Sequence, residues 1–412
     1  MTDHTNSNNQ TSGVSRRSTL LAGAGLAAAA GALGEAQAEV DLSKDTAPMY
    51  PPVAPGIDPR GPIIQPYTAA CVQSAAVPTF DQAGNFLPEA LEHNLDNMCA
   101  LVDRGADEYG ARLMCFPEFG LQIPSGPLRA EQWMPGAITS DGPELERIGK
   151  AAQDANAFVA FNGIERIEAF PGRYFLSGMI VSPSGDLVLN YRKLTSLTNK
   201  TRPGDILSEW LSHFGEESLF PVADTEIGRL ACVIAADMYV PEAMRGMVLR
   251  GGAEVILNPT ASAALSKGNN FDIPIVTTMV RRVRAYENLA FVLMSNLGPY
   301  GNDPKPPHDR KQPSQIIDFK GNMLAGTQTG GQEIVAATVD IDALRQARTS
   351  LGSGNLLATL QTPLYKQTYD AGFAPVDALL DDPIQETPEH NNVLRQTILK
   401  LVEQGVLVPP GV

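Results

Sequence analysis

From Tyr67 onward, short apolar runs of strand length alternate with segments whose apolar residues recur every three or four positions, the spacing of a helix with one buried face. Tyr67 to Val77 predicts a first buried strand, and Leu91, Leu95, Met98, Val102 and Ala106 predict an amphipathic helix after it. Arg112 to Phe116 predicts a second strand. Pro143 to Ala157 predicts a second helix, with Leu145, Ile148, Ala152 and Ala155 on one face, and Phe158 to Ile164 a third strand. Ser177 to Val181 runs through the turn Pro183-Ser184-Gly185 into Leu187 to Asn190 as a hairpin. Leu194 to Phe220 has no clear period and many polar residues, and predicts a loop over the mouth of a site. Leu230 to Ala235 is again a strand, and Pro241-Glu242 opens a helix, because proline suits a first helical turn. Phe271 to Asn288 predicts a helix, Phe291 to Ser295 a strand, Gly298 to Pro313 a Gly/Pro-rich loop, and Gln315 to Asp318 and Glu333 to Val339 the last strands. A terminal helix over Asn392 to Glu403 packs either within the chain or on a neighbouring subunit. Strand and helix in alternation predict a layered α/β domain.

Composition narrows the function classes. The chain has 412 residues, and a hydrophobic content of 43% is ample for a buried core. A net charge of -15, with no Lys/Arg cluster, argues against a nucleic-acid surface. The cysteines (Cys71, Cys99, Cys115, Cys232) have no CxxC spacing and the histidines are scattered singly, so the sequence predicts no metal site and no cofactor. Cys71 and Cys115 sit in apolar runs and read as buried thiols, and no disulfide is assigned.

The first 38 residues read as an address. Ser15-Arg16-Arg17-Ser18-Thr19-Leu20-Leu21 looks like a twin-arginine export signal, followed by Ala36-Gln37-Ala38 as a cleavage pattern. The mature chain is then expected to begin at Glu39, in the periplasm or outside the cell. Leu20 to Leu33 is too short and too rich in Ala and Gly to span a membrane, with an uncleaved leader acting as an anchor as the alternative. Residues 39–66 are proline-rich and predict an extended segment.

Candidate chemistry lies at strand ends. In IGRLACVIAADMYVPEAMRGMVLRGGAEVILNP, Ile227 to Pro259, a strand runs into a sharp turn and then a helix. A residue just before such a turn is held rigidly and faces the opening above the sheet, which is how a nucleophile is presented. Ala235 occupies that position, and a methyl group attacks nothing. Glu118 follows the second strand in LMCFPEFGL, and Lys193 follows the hairpin in Asn190-Tyr191-Arg192-Lys193. Taken singly, each reads as a solvated turn charge. Taken in order, they form a pattern.

That pattern resembles the nitrilase, or carbon-nitrogen hydrolase, superfamily, amidase-like branch. Ile234, Asp237, Pro241, Glu242 and Arg245 match, and FPEFGL, YRKL, IAADMYVPE, NPTA, RAYEN and SQIIDFKG stand in family order. The resemblance implies an α/β fold that is a four-layer αββα sandwich over residues 67–348, a C-terminal extension over 349–412, and a homo-oligomer, dimer or higher. In the family a cysteine thiolate attacks an amide or nitrile carbon to give an acyl-enzyme that water cleaves. Carried over, Glu118 is the general base and acid, and Lys193 with the backbone N–H of Ala236 holds the oxyanion. Glu209 resembles the second glutamate, with Glu216 and Glu217 as alternatives, and Asp237 and Tyr239 line the substrate site.

Ala235 fills the cysteine position. Cys232, three positions earlier on a strand of period two, is expected on the opposite face and does not replace it. Three readings fit the alanine: a relative that has lost hydrolysis and kept a pocket, an inactivated form of an active amidase, or a slower hydrolase in which Glu118 activates water directly. The expected ligand is a small amide, nitrile or carbamoyl compound. The rival reading is a non-catalytic binding protein, or a partner of an active paralogue.

Overall fold

In β1 (Tyr67–Gln73), Ala69 and Cys71 enter one apolar cluster while Ala70 and Val72 enter another. β2 (Ala111–Cys115) repeats the division, with Leu113 and Cys115 on one side and Met114 on the other. Side chains alternate across a strand, so a sheet that is apolar on both faces has to be covered twice. The computed structural model describes residues 61–195, 199–261, 274–299, 313–370, 372–381, 383 and 385–411, with a compact unit from Ile63 to Val412. The leader motif, the proline-rich segment up to residue 60 and most of the loop predicted after Gly298 lie outside the described residues.

One sheet has the order β12-β1-β2-β3-β4-β5, with β3 at Phe158–Arg166, β4 at Tyr174–Val181, β5 at Leu187–Arg192 and β12 at Glu333–Val339. Its outer face packs against α1 (Pro88–Tyr109) and α2 (Pro143–Ala155) through Leu91, Leu95, Met98 and Ile148. α1 ends on Gly110 at φ 62°, a left-handed cap that a side chain disfavours. The other sheet has the order β11-β10-β9-β8-β7-β6: β6 Ala223–Thr225, β7 Gly228–Cys232, β8 Val255–Thr260, β9 Phe291–Asn296, β10 Gln315–Ile317 and β11 Met323–Gly326. An intervening helix, α4 (Pro241–Gly251), packs Met244 and Met247 onto it, and α5 (Pro274–Asn288) adds Ala285.

The two sheets meet face to face. Ser295 Oγ of β9 donates to the Cys115 carbonyl of β2, and a Cβ on Gly178 of β4 would lie 2.3 Å from Cys232 Sγ of β7. This is the αββα sandwich expected. β1, β2 and β3 run parallel in one sheet, and β7, β8 and β9 in the other. Loops at the carboxyl ends of such strands are where open α/β sheets present their ligand sites.

The polar stretch after Lys193 departs from the sequence reading. It contains α3 (Leu207–Phe214), whose Trp210 is buried against Phe170 and Phe175. A further helix, α6 (Ile341–Thr349), follows β12, and the terminal helix α7 (Thr387–Glu403) begins five residues before the expected Asn392. Ahead of α7, the Gln385 carbonyl accepts from Asn199, which joins the tail to the segment just after Lys193.

Candidate active site

β2 delivers Glu118 through a short turn. The N–H of Phe116 still bonds to Ala160 of β3, Phe119 then takes φ 60°, and its N–H donates to Asn162 Oδ1 at 3.0 Å. A left-handed non-glycine residue costs about 1 kcal/mol or more, and here the Asn162 bond offsets part of it. β5 delivers Lys193, whose backbone N–H bonds to the Leu176 carbonyl at 2.9 Å. The Lys193 ammonium donates to Glu118 Oε1 at 2.7 Å, with the residues 7% and 4% exposed. Two charges this deeply buried hold only as a pair.

β7 leads into a 3-10 turn over Ala235–Tyr239, and Ala235 begins it at φ 40°. The first hydrogen bond in that turn runs from the Asp237 N–H to the Ile234 carbonyl, so the N–H groups of Ala235 and Ala236 have no partner inside it. Asp237 ties this turn to the lysine. Its Oδ2 accepts from the Tyr191 hydroxyl at 2.5 Å and the Leu194 N–H at 3.3 Å, and its Oδ1 from the N–H and hydroxyl of Thr195. Residues on both sides of Lys193 are thus bonded to the turn that carries Ala235. Burial pushes the Asp237 carboxyl up, against Lys193 and these donors.

Behind the turn, Arg281 of α5 donates to Asn258 Oδ1 at 2.7 Å and Thr260 Oγ1 at 3.2 Å. Its guanidinium lies 5.8 Å from the centre of the Tyr239 ring and within electrostatic reach of Glu118. Tyr239 itself is 43% exposed, at the rim. Arg284 donates to the carbonyls of Met238 and Tyr239 and holds the far end of the turn.

Cys232 lies between the sheets against Gly178, and burial pushes its thiol well above the usual range, so it supplies no thiolate. Glu209 lies on the exposed side of α3, as Trp210 takes the buried side, and it makes no ion pair with Lys193 among the described residues. Glu216 and Glu217 are exposed as well.

Sequence reading missed Lys200. It is 8% exposed, with Nζ 5.1 Å above the Phe119 ring, and Lys193, Glu118 and Asp237 are its charged neighbours. Burial first, then Lys193, pushes its ammonium down to about 8. Its place after a lysine in a polar run gave no sign of burial. Among the described residues no group of His, Cys, Asp and Glu could hold a metal ion.

A glutamate, a lysine and a turn whose first N–H groups have no partner among the described residues are parts used in acyl transfer at a carbonyl. The Carbon-nitrogen hydrolase family model matches residues 68–349, about two-thirds of the chain. A formamidase from Bacillus thuringiensis (strain Al Hakam) is 26% identical over 262 residues, covering 63% of this chain and 71% of that protein. Among solved structures, the carbon-nitrogen hydrolase from Helicobacter pylori G27 is similar with a TM-score of 0.55 at 17% identity, covering 74% of this chain and 98% of that one. A cysteine-to-alanine mutant of the amidase from Nesterenkonia sp. AN1, in complex with butyramide, is similar with a TM-score of 0.51 at 20% identity, covering 73% and 96%. The fold, the order of the strand-end residues and the match over most of the chain together place this protein in the carbon-nitrogen hydrolase family.

Proposed function

We propose that this protein binds a small amide at Glu118 and Lys193 and hydrolyses it slowly by direct attack of water, with no acyl-enzyme. The observation that carries this is the buried Glu118–Lys193 pair beside a turn held at φ 40° on a residue with no attacking atom. Glu118 takes a proton from water as its oxygen bonds to the amide carbon. Lys193 and the N–H of Ala236 hold the resulting oxyanion. The intermediate collapses by breaking the C–N bond, Glu118 returns the proton to the leaving nitrogen, and the products are a carboxylic acid and ammonia or an amine.

Loss of a nucleophile costs on the order of 10⁶ in rate in a protease studied in this way, and the remaining groups keep on the order of 10³ over water. Slow turnover is therefore the expectation. The formamidase relatives put formamide in the test panel with other short amides. Ammonia release from the full chain, abolished by Glu118→Gln, supports this reading. Amide binding with no turnover supports the rival, a non-catalytic binding protein.

We also propose export by the twin-arginine route, supported by the motif at Arg16-Arg17 and by Ala36-Gln37-Ala38. A homo-oligomer is supported by the exposed apolar row Met279, Val283 and Tyr286 on α5.

A further inference from the structure

We propose that Asn199 is a positioning residue: it latches the C-terminal extension onto the segment that carries Lys200, and so holds Lys200, Phe119 and Glu118 in place. The inference rests on the small-amide reading for its turnover arm alone.

Asn199 is 4% exposed, and its amide is bonded on three sides. Oδ1 accepts from the Tyr174 hydroxyl at 2.7 Å, and Nδ2 donates to the carbonyls of Leu128 at 2.9 Å and Gln385 at 2.8 Å. No other side chain of this size offers one acceptor and two donors together, and the two carbonyls fix which end of the amide is which. Three distant segments therefore meet at one residue: β4, the loop after β2 and the extension.

The extension is pinned there from its own side. The Gln385 carbonyl also accepts from the Ala130 N–H at 3.2 Å, and Glu389 Oε2 accepts from the N–H groups of Gln385 and Glu386 at 2.7 and 3.1 Å. Upstream, Asp377 and Leu379 donate their N–H groups to the carbonyls of Gly204 and Asp205, and Asp377 Oδ1 accepts from the Ser208 N–H. The polar stretch after Lys193 is thus braced at two places.

Contacts also close a circuit from Asn199 back to the acid. Tyr174 stacks on Trp133 with ring centres 5.6 Å apart, Trp133 stacks on Phe119 at 6.4 Å, and Lys200 Nζ stands 5.1 Å from the centre of the Phe119 ring. Phe119 follows Glu118, and Lys200 follows Asn199. Aromatic pairs tolerate a range of offsets, whereas hydrogen bonds weaken steeply out of line, so the Asn199 amide sets the geometry of the circuit.

Competitive acetylation of the full chain between pH 7 and 11, read lysine by lysine from peptide masses, tests this. Lys193, Glu118 and Asp237 are the charged neighbours of Lys200, and its burial places the labelling midpoint at about 8. Asn199→Leu keeps the volume and removes all three bonds. It is expected to raise that midpoint by about one pH unit or more, towards the ordinary 10.5, as water reaches Lys200. Exposed Lys150 stays level. Glu389→Ala loosens the same latch from the extension and is expected to move Lys200 the same way by less. In ammonia release, Asn199→Leu is expected to lower kcat at least about tenfold with KM changed less, because Glu118 is displaced rather than removed. A Lys200 midpoint unmoved in folded Asn199→Leu, or in Glu389→Ala if the first variant fails to fold, overturns the assignment of Asn199. A moved midpoint with kcat unchanged overturns its link to Glu118 and with it the positioning role. No turnover in the unaltered chain overturns the small-amide reading alone, and the labelling result still decides the latch.

Discussion

Lys193 and Glu118 stand 75 positions apart in the chain, and the Lys193 ammonium donates to the Glu118 carboxylate at 2.7 Å. Two loops, at the ends of strands in one sheet, are thereby locked together. Removing one partner of such a pair leaves a buried charge without compensation, at a cost of about 3 to 5 kcal/mol. The nearby Lys200 ammonium offsets part of this for Glu118, which puts Lys193→Met near the lower figure. Urea denaturation is expected to show that loss for Lys193→Met, and a smaller one for Lys193→Met combined with Glu118→Gln, where no charge is stranded.

Lys200 sets the opposite sign. Its ammonium falls from an ordinary 10.5 to about 8 on folding, so the unfolded chain binds the proton more tightly. Below about 8 both states are charged and the folded state carries the full cost. Stability recovers as pH rises from there to about 10.5, where the unfolded state also loses the proton. Lys200→Met is therefore expected to be more stable than the unaltered chain at pH 7, by up to about 3 kcal/mol. The advantage shrinks between pH 8 and 10.5, and paired thermal melts at pH 7 and pH 10 measure it.

Glu118, Lys193 and Ala235 were legible because each follows an apolar run of strand length, and a strand end fixes where a side chain goes. The alternation of strands and helices predicted a layered α/β domain, and the αββα order came from the family resemblance. What could not be read depends on contacts made by distant segments. Lys200 lies in the polar run Thr198-Asn199-Lys200-Thr201, and Phe119 from the other loop packs under its ammonium. Glu209 was matched through its segment SEWLSHFG, and α3 sets it on an exposed side. That helix did have a signal, since Leu207, Trp210, Leu211 and Phe214 recur at helical spacing within residues read as loop.

Ala235 stores strain. A left-handed conformation costs an L-residue about 1 to 2 kcal/mol, and glycine escapes it. Ala235→Gly, a change that usually destabilises, is expected to leave the unfolding free energy from chemical denaturation unchanged or raise it, by up to about 1 kcal/mol. A loss of more than that shows that the methyl group packs usefully and that the turn is not strained.

The apolar row on α5 gives a prediction about assembly. Val283→Glu places a charge within Met279, Val283 and Tyr286, and is expected to convert an oligomer to monomer in sedimentation velocity with the melting curve little changed. A chain that sediments as a monomer before the change removes that proposal.

We propose that the site lacks only a sulfur at residue 235. Ala235→Cys, incubated with short amides and followed by ammonia release and intact-protein mass, tests it most directly. A pocket that is sound gains at least about a hundredfold in rate, against a full nucleophile effect on the order of 10⁶, and an acyl adduct appears on residue 235. A folded variant with neither adduct nor added turnover contradicts the account.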